Sequence, residues 1–208
     1  MAETPVPAGQ PHKGWYSRGY LPHLDQPGLV QGITFRLHDS MLVERREEWE
    51  SLLAVADVGE RLLRIEEYLN AGYGSCVLRD HRVGLLVQDA LQHLDGQRYR
   101  LLAWVVMPNH VHVLIETLQG WSLPGIVHSW KSFTAHQVNR LLGRKGPLWS
   151  REFFDRAVRD GRHLKRAVRY VHDNPVKAGL VAEPEVWPFS SARWLVDGGD
   201  AGVDGELG

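Results

Sequence analysis

Apolar positions along the chain recur with two periods, and the places where the period changes mark the elements. Val30-Gln31-Gly32-Ile33-Thr34-Phe35-Arg36-Leu37 alternates and is rich in β-formers, which predicts a first strand. From Glu44 to Leu69 the spacing becomes helical. Trp49, Leu52, Leu53 and Ala56 form a stripe, Asp57-Val58-Gly59 interrupts it, and Leu62, Leu63 and Leu69 resume it. Asp80 is placed to cap a helix carrying Val83, Leu86, Val87, Ala90, Leu91 and Leu94. Arg98 to Met107 and His110 to Thr117 read as two antiparallel strands joined at a Pro108-Asn109 corner. Ser122 then caps, and Pro124 opens, a long helix whose core stripe is Ile126, Trp130, Phe133, Val138, Leu141 and Leu142.

Leu148 to Val158 reads as a fourth strand. A last helix over Gly161 to Asp173 should stop at Asn174-Pro175, because proline disfavours the helical conformation of the residue before it. The resulting order is strand, helical segment, strand, strand, helix, strand. That is an α+β, ferredoxin-like antiparallel sheet with helices on one face and the first and third strands at its centre. An acidic helical insertion over about 44–70 is added to it and carries no recognisable chemistry.

One domain over residues 14–195 is expected, between a proline-bearing tail at 1–13 and a Gly- and acid-rich tail at 196–208, both expected to be disordered. The chain is 43% apolar and 24% charged, with no apolar run long enough to span a bilayer, which leads us to expect a cytoplasmic protein without a membrane partner. The lone Cys76 excludes an internal disulfide and a cysteine-cluster metal site, and is expected to be a buried small apolar residue. The net charge of −1 conceals an asymmetry: Trp121 to Leu180 holds twelve lysines and arginines against four acids, leaving +8. Such a block suits a polyanion.

The candidate chemistry lies on the strand after the Pro-Asn corner. A side-chain period of two puts His110, His112, Leu114 and Glu116 on one face, and Val111, Val113 and Ile115 on the core face. Two imidazoles so placed can share a divalent cation or a phosphate. Tyr170 and Asn174, four apart, point the same way from the last helix. If that helix packs across the histidine face, His110, His112 and Asn174 make a three-ligand site, and Tyr170 becomes a nucleophile whose pKa nearby cationic charge would lower. DNA contacts are expected from Arg18 and Tyr20 in the aromatic loop 14–23, Lys131 on the polar side of the long helix, Arg140, Arg144 and Lys145 around the basic turn, and Arg151. His163 and His172 are expected at the surface. Nucleotide hydrolases of the histidine-triad type also alternate histidines on a strand, but they require another where Leu114 stands. A nucleic-acid-binding module without cleavage is the second alternative.

His110-Val111-His112 together with Tyr170-Val171-His172-Asp173-Asn174-Pro175 resembles the HUH motif and catalytic tyrosine helix of the single-tyrosine transposases, most closely the REP-associated tyrosine transposases. The likeness extends to Ser17-Arg18-Gly19-Tyr20-Leu21-Pro22-His23, Ile33 to Leu37, Trp104 to Leu114, His128 to Phe133 and Asn174 to Leu180. It implies an HUH endonuclease fold and an endonuclease and strand transferase. Such an enzyme acts on single-stranded or hairpin, REP-like DNA through a covalent 5′-phosphotyrosine. It further implies Mg²⁺ or Mn²⁺ on His110 and His112, with Asn174 where relatives carry a glutamine, and a guide tetranucleotide read by the N-terminal loop. The location implied is the nucleoid, and both monomers and swapped homodimers occur among such relatives.

Overall fold

The computed structural model describes residues 14–17, 22–41 and 43–194. Along them run β1 (Gly14–Ser17), β2 (Pro22–Asp25), β3 (Val30–Arg36), α1 (Arg46–Ala54), α2 (Val58–Asn70) and α3 (His81–Gln92). After these come β4 (Tyr99–Val106), β5 (His110–Thr117), α4 (Leu123–Leu142), β6 (Phe154–Ala157) and α5 (Gly161–Lys177). Four strands pair antiparallel in the order β4-β5-β3-β6, which places the first and third strands of the expected motif at the centre. The α+β, ferredoxin-like expectation is thus met. The two expected tails, and Arg18 and Tyr20 with them, lie outside the described residues.

The valine face of β5 packs as its alternation dictates. Phe35 of β3 stands edge-on to Trp149 at 4.8 Å and near Trp130 of α4 at 6.3 Å, while Tyr99 meets Trp130 at 5.0 Å. Buried aromatics with polar tips must satisfy them. Trp130 Nε1 donates to the Tyr99 hydroxyl (2.9 Å), which donates to the Leu91 carbonyl (2.6 Å), and Trp149 Nε1 donates to Thr134 Oγ1 (2.8 Å). The caps act where the sequence put them: Asp80 accepts from Arg82 N and Ser122 from Gly125 N.

Helices were expected on one face only, but the other face of the sheet is also covered, by α2 over the β3–β6 side and α5 over the β4–β5 side. The acidic α1–α2 arm has its own small core, in which Trp49, Ile65, Tyr68 and Leu69 close around Phe154 of β6. Arg36 of β3 adds a guanidinium over the Trp49 ring at 4.5 Å. The β1–β2 hairpin is fastened to the same edge. His23 pairs with Asp155, and Gln31 Nε2 donates to the Leu24 carbonyl (2.8 Å) and to Asp155 Oδ2 (3.1 Å).

Three further expectations need correction. Only Phe154–Ala157 of the fourth strand is regular. The preceding stretch touches β3 through single bonds, His38 N to Leu148 O and Ser150 N to Arg36 O, while Lys131 draws the carbonyls of Ser150 and Arg151 out of the ladder at 2.6 and 2.9 Å. The last helix runs through Pro175 to Lys177. Proline removes one hydrogen bond to Val171, but Pro175 is buried, and Ala178 N to Asn174 O and Leu180 N to Pro175 O carry the turn onward, so packing outweighs local preference. Cys76 is only half-buried and left-handed (φ 50°), and its thiol donates to the Gly72 carbonyl at 3.1 Å.

The segment after α5 returns to β4, with Val106 N donating to Phe189 O (2.8 Å) and Trp187 Nε1 to Val106 O (2.9 Å). Phe189 also lies against α3, where a Cβ at Gly84 would sit 2.7 Å from its ring. Gly84→Ala should therefore lower stability by roughly 1–3 kcal/mol despite the better helix propensity of alanine, since overpacking exceeds a propensity gain of about 1 kcal/mol. Urea denaturation measures it, and a stabilised variant would contradict this packing.

Candidate active site

The structure gathers His110, His112 and Tyr170 on one side of the sheet and adds a residue from the arm. Glu66 of α2 places Oε1 3.2 Å from His112 Nε2, and that nitrogen lies 3.0 Å from His110 Nε2. The ligand atoms of Glu66, His110 and His112 all fall within 4.8 Å of one another. The Tyr170 ring stands edge-on to His112 at 5.7 Å, within the same chain, and Glu66 is the charge that acts most strongly on its hydroxyl. Lys177 lies over the outer side of that ring at 4.6 Å.

Asn109 sets the orientation of the first histidine. Its Nδ2 donates to two carbonyls at the end of the arm, Leu69 O and Tyr73 O, each at 3.1 Å. Its Oδ1 must therefore be the atom facing His110 Nδ1 at 2.7 Å, so Nδ1 carries the proton and Nε2 presents a lone pair. His112 Nδ1 lies 2.8 Å from Thr34 Oγ1, a hydroxyl that accepts or donates and so serves either tautomer. His112 Nε2 thus lies between an imidazole lone pair and a carboxylate. Only a proton or a cation makes that arrangement stable.

Both imidazoles are buried, at 0% and 3% exposure, and their contacts are polar rather than aliphatic. Burial, reinforced by the charge of His112, pushes His110 down to about 3. Burial alone would raise Glu66, but the charge and hydrogen bond of His112, then His110, outweigh it and hold the carboxyl at about 2. For Tyr170 the direction opposes the sequence expectation. Burial, and after it the charge and hydrogen bond of Glu66, hold the phenol well above its ordinary range. The charge acting most strongly on it is an anion, so the phenol stays protonated until something offsets Glu66.

Residues 79–174 match the family model described as Transposase IS200 like. The chain is 31% identical over 97 residues to the REP-associated tyrosine transposase of Escherichia coli (strain K12), an alignment covering 45% of this chain and 54% of that protein. The chain is similar to the REP-associated tyrosine transposases. The resemblance expected from the motifs is borne out. A solved structure of a REP-associated tyrosine transposase bound to a REP hairpin superposes with a TM-score of 0.59, at 20% identity, over 84% of this chain and 83% of that one, which shows the fold. The chain spans about half the length of the Escherichia coli relative.

The segment matched to the transposase family contains His110, His112, Tyr170 and Asn174 but not Glu66. The arm, expected to carry no chemistry, thus contributes a candidate metal ligand. Its one sequence signal was an acid at 66 on the stripe Leu62, Ile65 and Leu69, where a helix facing a core should hold an apolar residue. Asn174 is fully buried. Its Nδ2 donates to the Tyr170 carbonyl at 3.1 Å, and its Oδ1 has no hydrogen-bond partner, the state of an atom that a cation or substrate group completes. Two Nε2 atoms fixed from behind and a carboxylate fit a divalent cation.

The other expected residues lie apart. Arg140, Arg144, Lys145 and Arg151 are at or beyond the end of α4, none of them lining the cavity beside Tyr170, and Lys131 is bound to backbone carbonyls rather than free for phosphate. His172 is buried and bonded to Ser191 Oγ at 2.8 Å, against a surface expectation, whereas His163 lines the cavity.

Asn109→Ala should weaken Mn²⁺ binding about 10- to 100-fold, as loss of an orienting partner does, with a stability cost of roughly 1–3 kcal/mol for the stranded groups. Titration calorimetry and urea melts read the two effects, and unchanged Mn²⁺ affinity would remove Asn109 from the site. A pH effect follows from His110. Between its unfolded value near 6.5 and about 3, the unfolded chain binds a proton there that the folded chain refuses, so stability falls as pH drops. From pH 7 to 4 the chelator-treated protein should lose up to about 3 kcal/mol on this account; a flat profile across that window would contradict the burial of His110.

Proposed function

We propose that the chain is a metal-dependent endonuclease and strand transferase for single-stranded or hairpin DNA, with Tyr170 as nucleophile. The observation that carries this reading is the joint placement of the Tyr170 ring, Glu66 and the two imidazoles within one chain. The phenol oxygen attacks a backbone phosphorus, the P–O3′ bond breaks, and the 3′ oxygen leaves as a hydroxyl after protonation from water. The phenol proton passes to the Glu66 carboxylate, the anion that acts on it most strongly. The product is a 5′-phosphotyrosine, whose diester retains the energy of the broken bond and is open to attack by another 3′ hydroxyl.

His110, His112 and Glu66, with Asn174 Oδ1 as a further donor, would hold Mg²⁺ or Mn²⁺. Bound there, such an ion supplies Lewis acidity to a phosphate oxygen. The chain's own groups do the rest: Asn109 and Thr34 orient the imidazoles, and α2 and α5 flank the cavity from which Glu66, His112 and Tyr170 are reached. Arg140, Arg144, Lys145 and Arg151 are proposed as hairpin phosphate contacts, on a surface separate from the site. The relatives' names supply the hairpin as the substrate to test first. No helix among the described residues is long and apolar enough to cross a membrane.

Incubating a labelled hairpin bearing a single-stranded flank with Mn²⁺, followed by denaturing electrophoresis, should give a covalent protein–DNA band that Tyr170→Phe abolishes. His110→Ala and His112→Ala should also abolish it while keeping most hairpin affinity, since phosphate contacts dominate binding. A native mobility shift with no covalent band in the parent chain would leave a binding module and overturn the enzyme. Arg144→Ala and Lys145→Ala should each reduce the salt slope of hairpin binding by about one; unchanged slopes would take that turn off the DNA.

A further inference from the structure

A cavity of about 560 Å³ opens beside the site, between α2 and α5. Its floor is the sheet face at Gly32, Thr34, His112 and Leu114. The two sides differ in kind. On α2, Leu62 and Leu63 face it, and Leu63 is 62% exposed there, with Phe154 at the β6 end. Opposite, Arg156, Arg159 and Arg166 gather around His163, and after burial their charges are what push that imidazole's pKa down. Among the described residues none of these three arginines is in a salt bridge, whereas Asp155 is engaged by His23 and Asp160 caps α5.

Gly32 is an independent sign that something occupies this space. It lies in the interior of a central strand, where glycine weakens pairing, and its backbone is not in the left-handed region that would require glycine. A Cβ there would meet nothing nearer than 3.9 Å. The sheet could carry a larger side chain and instead leaves the floor bare, as a strand does where a ligand approaches closely.

We infer that this cavity is a nucleotide subsite that takes one unpaired nucleotide next to the phosphate at Tyr170. The base lies over Gly32 against Leu62, Leu63 and Phe154, and the backbone lies along Arg156 and Arg166. The volume is that of a small-ligand pocket, which spans roughly 300–1,000 Å³. Apolar and aromatic surface facing guanidinium groups is the pairing that single strands use, bases on one side and phosphates on the other. The floor lies between two helices, and α2 is the wall that would select for unpaired DNA. The inference rests on the single-strand reading proposed above.

The test uses the full chain carrying Tyr170→Phe, in chelator, so that cleavage plays no part. Fluorescence anisotropy compares a hairpin with a four-nucleotide flank, the same hairpin with one flank nucleotide abasic, and the blunt hairpin. Gly32→Val, which suits a strand and fills the floor, should weaken binding of the flanked hairpin by roughly tenfold, the size of one base contact. The abasic flank should cost the parent about as much and cost Gly32→Val nothing further. Arg156→Gln with Arg166→Gln, both exposed positions, should weaken the flanked hairpin more than the blunt one. Equal affinities in parent and variants, or equal losses on flanked and blunt hairpins, would overturn the subsite. A missing covalent band in the Tyr170 chain with flank-dependent losses intact would overturn the enzyme alone.

Discussion

A carboxylate buried against two imidazoles is the contact on which the rest of the molecule turns. Withdrawing Glu66 from water costs several kcal/mol unless the charge is met at close range. It is met by His112 at 3.2 Å, and His112 by His110 at 3.0 Å. Holding these groups together takes two independently packed pieces of chain. The sheet supplies the histidines from its central strand, and the arm supplies Glu66 from a helix seated on its own cluster of Trp49, Ile65, Tyr68 and Leu69. Asn109 ties the pieces, with its amide nitrogen on the arm and its oxygen on His110.

Much of this was legible in the residues. Alternation in His110 to Thr117 gave the strand and both its faces, Asp80 and Ser122 gave two helix starts, and the order of elements gave the sheet. Tyr170 and the histidines belonged together by motif, and the fold brings them together. What could not be read was set by tertiary packing. Nothing local reveals that Glu66 faces a site rather than solvent, beyond its seat on an apolar stripe. Pro175 promised a helix end that burial overrides, and Lys131 looked free until a distant loop took its ammonium. The phenol's environment was misjudged for the same reason: the charge that acts most strongly on it comes from a segment far away in sequence.

Basic residues fall on two separate surfaces. One set clusters at the far end of α4 and in the turn after it, the other along the cavity beside Tyr170. Their summed charge is one block in the sequence, yet α4 and α5 lie on opposite sides of the sheet. A polyanion held by both would have to pass from one side of the sheet to the other.

The return of the chain along β4 has a consequence for assembly. Phe189 and Trp187 occupy the hydrogen-bonding positions that Val106 would otherwise show to solvent, and Ser190 bridges Val105. A second molecule therefore cannot lengthen the sheet there by strand addition without first stripping off this strap. The β4 edge is thereby closed to a second copy, and the edge of the sheet that remains is β6.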